Sequence, residues 1–134
     1  MTWHLVTDFM IDTAFFIDLR RREPGAVEVW ADIVSRRVTA ATSPIVLYEL
    51  WVGTRLSREE EAFYRACMTF LEDAPLLSSA AIRAGAWLRL VGNRTEALFR
   101  DALIAATALE RSEPVLTRNV RDFSMFPDVR VETY

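Results

Sequence analysis

The chain has 134 residues, is 51% hydrophobic and carries a net charge of −3. This supplies apolar material for one compact domain, expected to span 1–134, and excludes a global basic field that would attract nucleic acid. Any polyanion partner therefore needs a local basic patch. All sixteen basic residues are arginine, so chemistry that requires a lysine is excluded. One cysteine, Cys67, rules out an intrachain disulfide and fits a reducing cytoplasm. The single histidine, His4, has no partner nearby in sequence, which argues against Ser-His-Asp and Cys-His mechanisms. The first apolar run is broken by Asp8, Asp12 and Asp18 and follows no basic stretch, unlike a signal peptide. No run approaches the length of about eighteen apolar residues that a membrane span needs. A cytoplasmic location without membrane contact is expected.

The elements alternate along the chain. His4–Ile11 reads as a first strand rich in β-formers, and Thr13–Arg22 as a helix whose terminal arginines suit its negative end. Glu23-Pro24-Gly25 is a turn signal, and Ala26–Arg37 a helix with Val27, Trp30, Ile33 and Val34 on one face. Val38–Thr42 is a short β-branched strand. Ser43-Pro44 starts a helix, serine as cap and proline at the first position, running to about Val52. Ser57-Arg-Glu-Glu60 is a capping box for a helix to about Leu71. Pro75-Leu-Leu is a short strand or connector. A helix from Ser78 to Val91 follows, then one opened by Asp101 and ending near Arg111, where Glu113-Pro114 breaks it. Val115–Thr117 is a strand and Val129–Glu132 a further candidate. Short apolar strands between helices indicate a parallel sheet covered by helices, with ligands beyond the carboxyl ends of the strands.

Four acidic places lie where such a site would form. Asp12 ends the run "FMID". Glu49 is the only charge between Thr42 and Arg55, in a helix that looks apolar on most sides. Asp101 opens "DALIAATAL". Asp122, with Asn119, lies in "VLTRNVRDF" just after a strand. Each has a plain structural explanation: Asp12 and Asp101 as helix caps, Glu49 at a helix margin, Asn119 and Asp122 as turn residues. Together they suggest more. A lone ionised carboxylate at Glu49 is costly, and no cation lies at i±3 or i±4 to pair with it. Carboxylates converging without histidine or cysteine select a hard cation, Mg²⁺ or Mn²⁺, and such a site suits phosphodiester hydrolysis.

The segments "IDTAFFIDLR", "TSPIVLYELWVGT", "DALIAATALERSEPVLTRNVRDF" and "FPDVRVETY" resemble, in order and spacing, the PIN-domain ribonucleases and in particular the VapC toxins of bacterial toxin–antitoxin pairs. The resemblance covers nearly the whole chain. It implies a three-layer α/β/α fold with a mostly parallel sheet of four to five strands. It also implies metal-dependent cleavage of RNA, inhibition by a cognate antitoxin, and a homodimer. By position, Asp12, Glu49 and Asp101 match the family's metal-binding acids. The fourth acidic position falls in Thr117-x-Asn119-x-x-Asp122; some family members have their acid where Asn119 stands and others where Asp122 stands, and here Asp122 is the charged candidate, with Asn119 as a polar or water-mediated ligand. Thr13, Ser43 and Thr117 are the hydroxyls expected to support these ligands; Ala14 stands where the family usually has Ser or Asn, and Thr13 or Ser43 would supply the hydrogen bond missing there. Arg94, Arg100, Arg118 and Arg121 lie near the motif and are the candidates for holding RNA phosphates.

Two rivals with acids at strand ends, a receiver-type phosphorelay domain and a haloacid-dehalogenase-like phosphatase, each need a lysine that is absent. The second also needs an aspartate at position 14, where Ala14 stands. The remaining alternative is a catalytically silent PIN-like domain that only binds a partner. No specific DNA contact is expected from the chain itself. Trp30, Trp51, Phe63 and Tyr64 could line a groove for an antitoxin helix or simply pack the core.

Overall fold

The computed structural model describes residues 6–53, 55–91 and 95–134. Its strands are β1 (Phe9–Ile11), β2 (Ala40–Thr42), β3 (Glu72–Asp73), β4 (Val115–Leu116) and β5 (Val131–Glu132). Its helices are α1 (Thr13–Arg20), α2 (Pro24–Val34), α3 (Pro44–Trp51), α4 (Arg58–Met68), α5 (Ser78–Arg89), α6 (Glu96–Glu110) and α7 (Val120–Ser124). The five strands form one sheet in the order β3-β2-β1-β4-β5, and every pairing is parallel. Helices cover both faces, as a parallel sheet requires, giving the three-layer α/β/α arrangement.

β1 is central. Phe9-Met10-Ile11 is buried throughout, with Ile11 in register with Thr42 of β2 and Leu116 of β4. Phe15, Phe16, Val46, Ile104 and Phe123 are fully enclosed around it. The alanine-rich part of α6 lies against this core because alanines permit close approach: Ala102, Ala105, Ala106 and Ala108 are all fully buried.

The capping signals set several boundaries. Ser43 accepts from the Ile45 amide and Ser57 from the Glu60 amide. Elsewhere the structure differs from expectation. β3 lies at Glu72–Asp73, before Pro75, whose missing N–H unsuits it to a paired strand. α6 begins at Glu96, where Thr95 accepts from the Leu98 amide, so Asp101 is inside the helix and not its cap. Asp122 belongs to a short helix, α7, and Asn119 immediately precedes it, where a plain turn was expected for both. α3 is buried on one side only: Val46 and Leu50 are enclosed while Tyr48 is 54% exposed. The expected first strand included residues 4 and 5, which lie outside the described residues.

Gly25 permits one tight crossing. A Cβ there would stand 2.9 Å from the backbone carbon of Tyr134. Gly25→Ala is therefore expected to lower stability by about 1 kcal/mol, the steric cost outweighing alanine's better helix propensity. A thermal midpoint unchanged or raised in that variant would show that the crossing is looser than described.

Candidate active site

β1, β2 and β4 end side by side, and each delivers polar residues to the same edge. Asp12 follows β1 and caps α1. Its Oδ1 accepts from the Thr13 amide at 2.6 Å, and its Oδ2 accepts from the Thr117 hydroxyl at 2.8 Å. Thr117 follows β4 and is fully buried, and its own oxygen accepts from the Asn119 amide at 2.9 Å. Ser43 follows β2, with its oxygen occupied in capping α3. The Thr13 and Thr42 hydroxyls are buried and have no hydrogen-bond partner.

Asp101 gathers the acids. Burial, followed by the charges of Asp12, Glu49 and Asp122, pushes its carboxyl up from 3.8 to about 7, against a smaller opposing pull from Arg100. Asp12 is pushed up to about 6, first by burial and then by Glu49, despite its bonds from Thr117 and Thr13. Thus α1, α3, α6 and α7 each bring one carboxylate into mutual electrostatic reach. Asp12 is enclosed, Glu49 and Asp101 are half-buried, and Asp122 is exposed at the rim. The donors are all oxygen, a set that suits a hard divalent cation. Among the described residues, however, no group of three or more His, Cys, Asp or Glu side chains is gathered to hold an ion as it stands. The acids feel one another but remain spread.

Arg100 offsets part of their charge. Its Nε lies 3.4 Å from Glu49 Oε2, and its Nη1 lies 3.0 Å from Glu96. Glu49 thus has a counter-cation from α6, which a search of its own helix could not find. The other Glu49 oxygen, Oε1, is buried without a partner. Arg100 therefore sits among the acids, and its expected place as a rim arginine free for phosphate is corrected. Arg118 is half-exposed and bonds Asp18; Arg121 is exposed on α7; Arg94 lies outside the described residues. Sequence reading missed Arg20, Arg21 and Arg55. With Glu49 they line a groove of about 370 Å³ between α1, α3 and α4; in the sequence Arg20 and Arg21 signal only a helix C-terminus, and nothing local marks Arg55. The aromatic candidates pack inward. Trp30 meets Phe15 and Phe70, Trp51 meets Tyr64, and Phe63 meets Tyr64, all against the core. Trp51 also borders an open groove with Leu47, Tyr48, Arg65 and Met68.

A family model described as the PIN domain matches residues 9–129. The chain belongs to the PIN-domain family. This PIN domain is 34% identical over 125 residues to "Ribonuclease VapC19" of Mycobacterium tuberculosis, covering 90% of this chain and 96% of that protein. It is 30% identical over 132 residues to "Ribonuclease VapC" of Rickettsia bellii, covering 92% and 94%. Among solved structures it is similar to the DNA-bound VapBC complex of Salmonella typhimurium, with a TM-score of 0.75, 28% identity and coverage of 95% and 98%. No helix among the described residues of this PIN domain is long and apolar enough to cross a membrane.

The raised carboxyls have a consequence for stability. Asp12 and Asp101 hold protons more tightly folded than at their ordinary value of 3.8. Their contribution to stability is complete below about pH 4 and is lost as pH rises through 6 and 7. In EDTA, urea midpoints are expected to fall between pH 5 and pH 8, and to fall less in Asp12→Asn. A wild-type midpoint that rises over that interval would contradict the repulsion described here.

Proposed function

We propose that this PIN domain is an endoribonuclease acting as the toxin of a toxin–antitoxin pair, with Asp12, Glu49, Asp101 and Asp122 forming its catalytic cup. The observation that carries the reading is that Asp12, Glu49 and Asp122 all lie within electrostatic reach of Asp101, beside the strand end that Asp12 follows. Similarity to named VapC ribonucleases over nearly the whole chain supports it.

The residues fit a divalent cation. Four carboxylates and an orphaned, buried Glu49 oxygen make an environment that an added positive charge stabilises. Asp12, Glu49, Asp101 and Asp122 would hold the ion, with Asn119 as a polar contributor. Bound there, Mg²⁺ or Mn²⁺ offsets the cup's charge and activates water toward a phosphodiester. The chain's own contributions are geometric. The Thr13 amide and Thr117 hydroxyl fix both oxygens of Asp12. Glu49 or Asp101 orients the attacking water by accepting its hydrogen bond. Arg118 and Arg121 at the rim meet the flanking phosphates of the RNA.

VapBC complexes among the structural relatives support a protein antitoxin as partner, and in those complexes DNA is also present. The groove lined by Arg20, Arg21, Arg55 and Glu49 is the surface we assign to that partner, since it shares Glu49 with the cup. The deciding experiment is RNA cleavage by the purified chain in Mg²⁺, Mn²⁺ or EDTA. Cleavage in either metal and none in EDTA is expected; cleavage equal in EDTA would refute metal dependence, and no cleavage with any metal would refute the nuclease.

A further inference from the structure

Asp18 is an acid that the cup does not use. It lies on α1, six residues beyond Asp12, and is 5% exposed. Both its oxygens are taken. Oδ1 accepts from Arg118 Nη1, and Oδ2 accepts from the Tyr134 hydroxyl. A carboxylate this enclosed needs a cation, and Arg118 supplies it. Tyr134 is itself fixed: its ring meets Phe15 edge-on at 5.2 Å, and its backbone crosses over Gly25. Burial, followed by the bond to Asp18, raises its phenol well above the ordinary range, so it stays a neutral donor.

Arg118 occupies a particular place. It stands between Thr117, whose hydroxyl holds Asp12, and Asn119, which leads into α7 and Asp122. Its side chain is 47% exposed, while that of its partner Asp18 is 6% exposed. One nitrogen is anchored inward on Asp18, while the side chain as a whole is about half exposed. The phosphate-binding candidate nearest the cup in sequence, Arg100, is instead held by Glu49 and Glu96.

We infer that Asp18 and Tyr134 are positioning residues that aim Arg118 as the arm gripping an RNA phosphate flanking the cleaved bond. Resting on the ribonuclease reading, this assigns the arginine a substrate contact and the buried pair a role through it. A guanidinium held by one end loses less freedom when it binds an anion, so anchoring it raises affinity without adding a contact.

The test is steady-state cleavage of one single-stranded RNA by wild type, Arg118→Gln, Arg118→Lys, Tyr134→Phe and the Tyr134→Phe/Arg118→Gln double variant, with melting curves for each. Arg118→Gln is expected to raise KM about tenfold with kcat nearly unchanged, the loss of one charge-assisted contact. It should also flatten the salt dependence of log KM by about 0.7. Arg118→Lys, which keeps the charge and loses the fork, should restore the salt slope but only part of KM. Tyr134→Phe keeps the ring and should raise KM about threefold, a modest mis-aiming of that same contact. In the double variant Tyr134→Phe should add nothing to Arg118→Gln. Should Tyr134→Phe instead lower kcat and melting temperature equally in both backgrounds, the network is only a structural tie and the inference falls. If Arg118→Gln cleaves with wild-type KM, the inference falls while the ribonuclease stands. If wild type neither binds nor cuts the RNA, the ribonuclease reading fails and takes this one with it.

Discussion

Asp101→Asn is expected to give a protein that no longer cleaves RNA yet is more stable than wild type in EDTA at pH 8. The two effects have one cause. In the folded chain the ionised Asp101 faces burial and three like charges, which together raise its carboxyl to about 7. Asparagine preserves the shape and removes the charge. The stability gain, discounted for the partial exposure of the site, is about 2 kcal/mol. That corresponds to about 5 °C in melting temperature for a domain of this size. The gain should shrink toward pH 5, where the wild-type carboxyl already carries a proton. Activity should fall by about a thousandfold or more, as expected when a preorganised charge at the reacting centre is lost. A variant that is both less stable at pH 8 and still active would remove Asp101 from the cup.

Glu113→Ala is expected to do the reverse. Glu113 is also a buried acid, 3% exposed, but it stands just before β4, at the amino end of the sheet. Its Oε1 accepts from the Thr7 amide at 2.8 Å and the Thr7 hydroxyl at 2.7 Å, and its Oε2 accepts from Arg111 at 3.1 Å. Removing it strands the Thr7 donors and deprives Arg111 of a partner, at a cost of about 3–5 kcal/mol. A melting temperature lower by about 10 °C, with normal cleavage from the fraction that remains folded, is the expected result. A specific activity per folded molecule well below wild type would mean that Glu113 reaches the chemistry after all. The two acids differ above all in partners: one is hydrogen-bonded at both oxygens, the other has like charges around it.

What was legible in the sequence follows the range of each interaction. Caps are local, so Ser43-Pro44 and Ser57-x-x-Glu60 gave helix starts directly. The buried run Phe9-Met10-Ile11 and the alanines of α6 gave the central strand and its covering helix. α6 was nonetheless started too late, because Arg100 and Asp101 interrupt the apolar pattern that Thr95 had already opened. β3 and α7 are too short and too polar to carry a period. The Glu49–Arg100 pair and the Asp18–Arg118–Tyr134 network join residues far apart in the chain, and no spacing rule reaches them. The family pattern singles out the four acids as candidates. It does not show how each one is neutralised.

The central position of β1 has a consequence for how the molecule comes into being. β1 pairs with β4, which is synthesised after β1, β2 and α6, and β4 brings both Thr117 and the helix bearing Asp122. A nascent chain that has completed α6 but not β4 holds Asp12, Glu49 and Asp101 without the strand that joins them. The nuclease is thus assembled only once β4 has been synthesised, and a stop codon placed ahead of β4 should yield a harmless polypeptide.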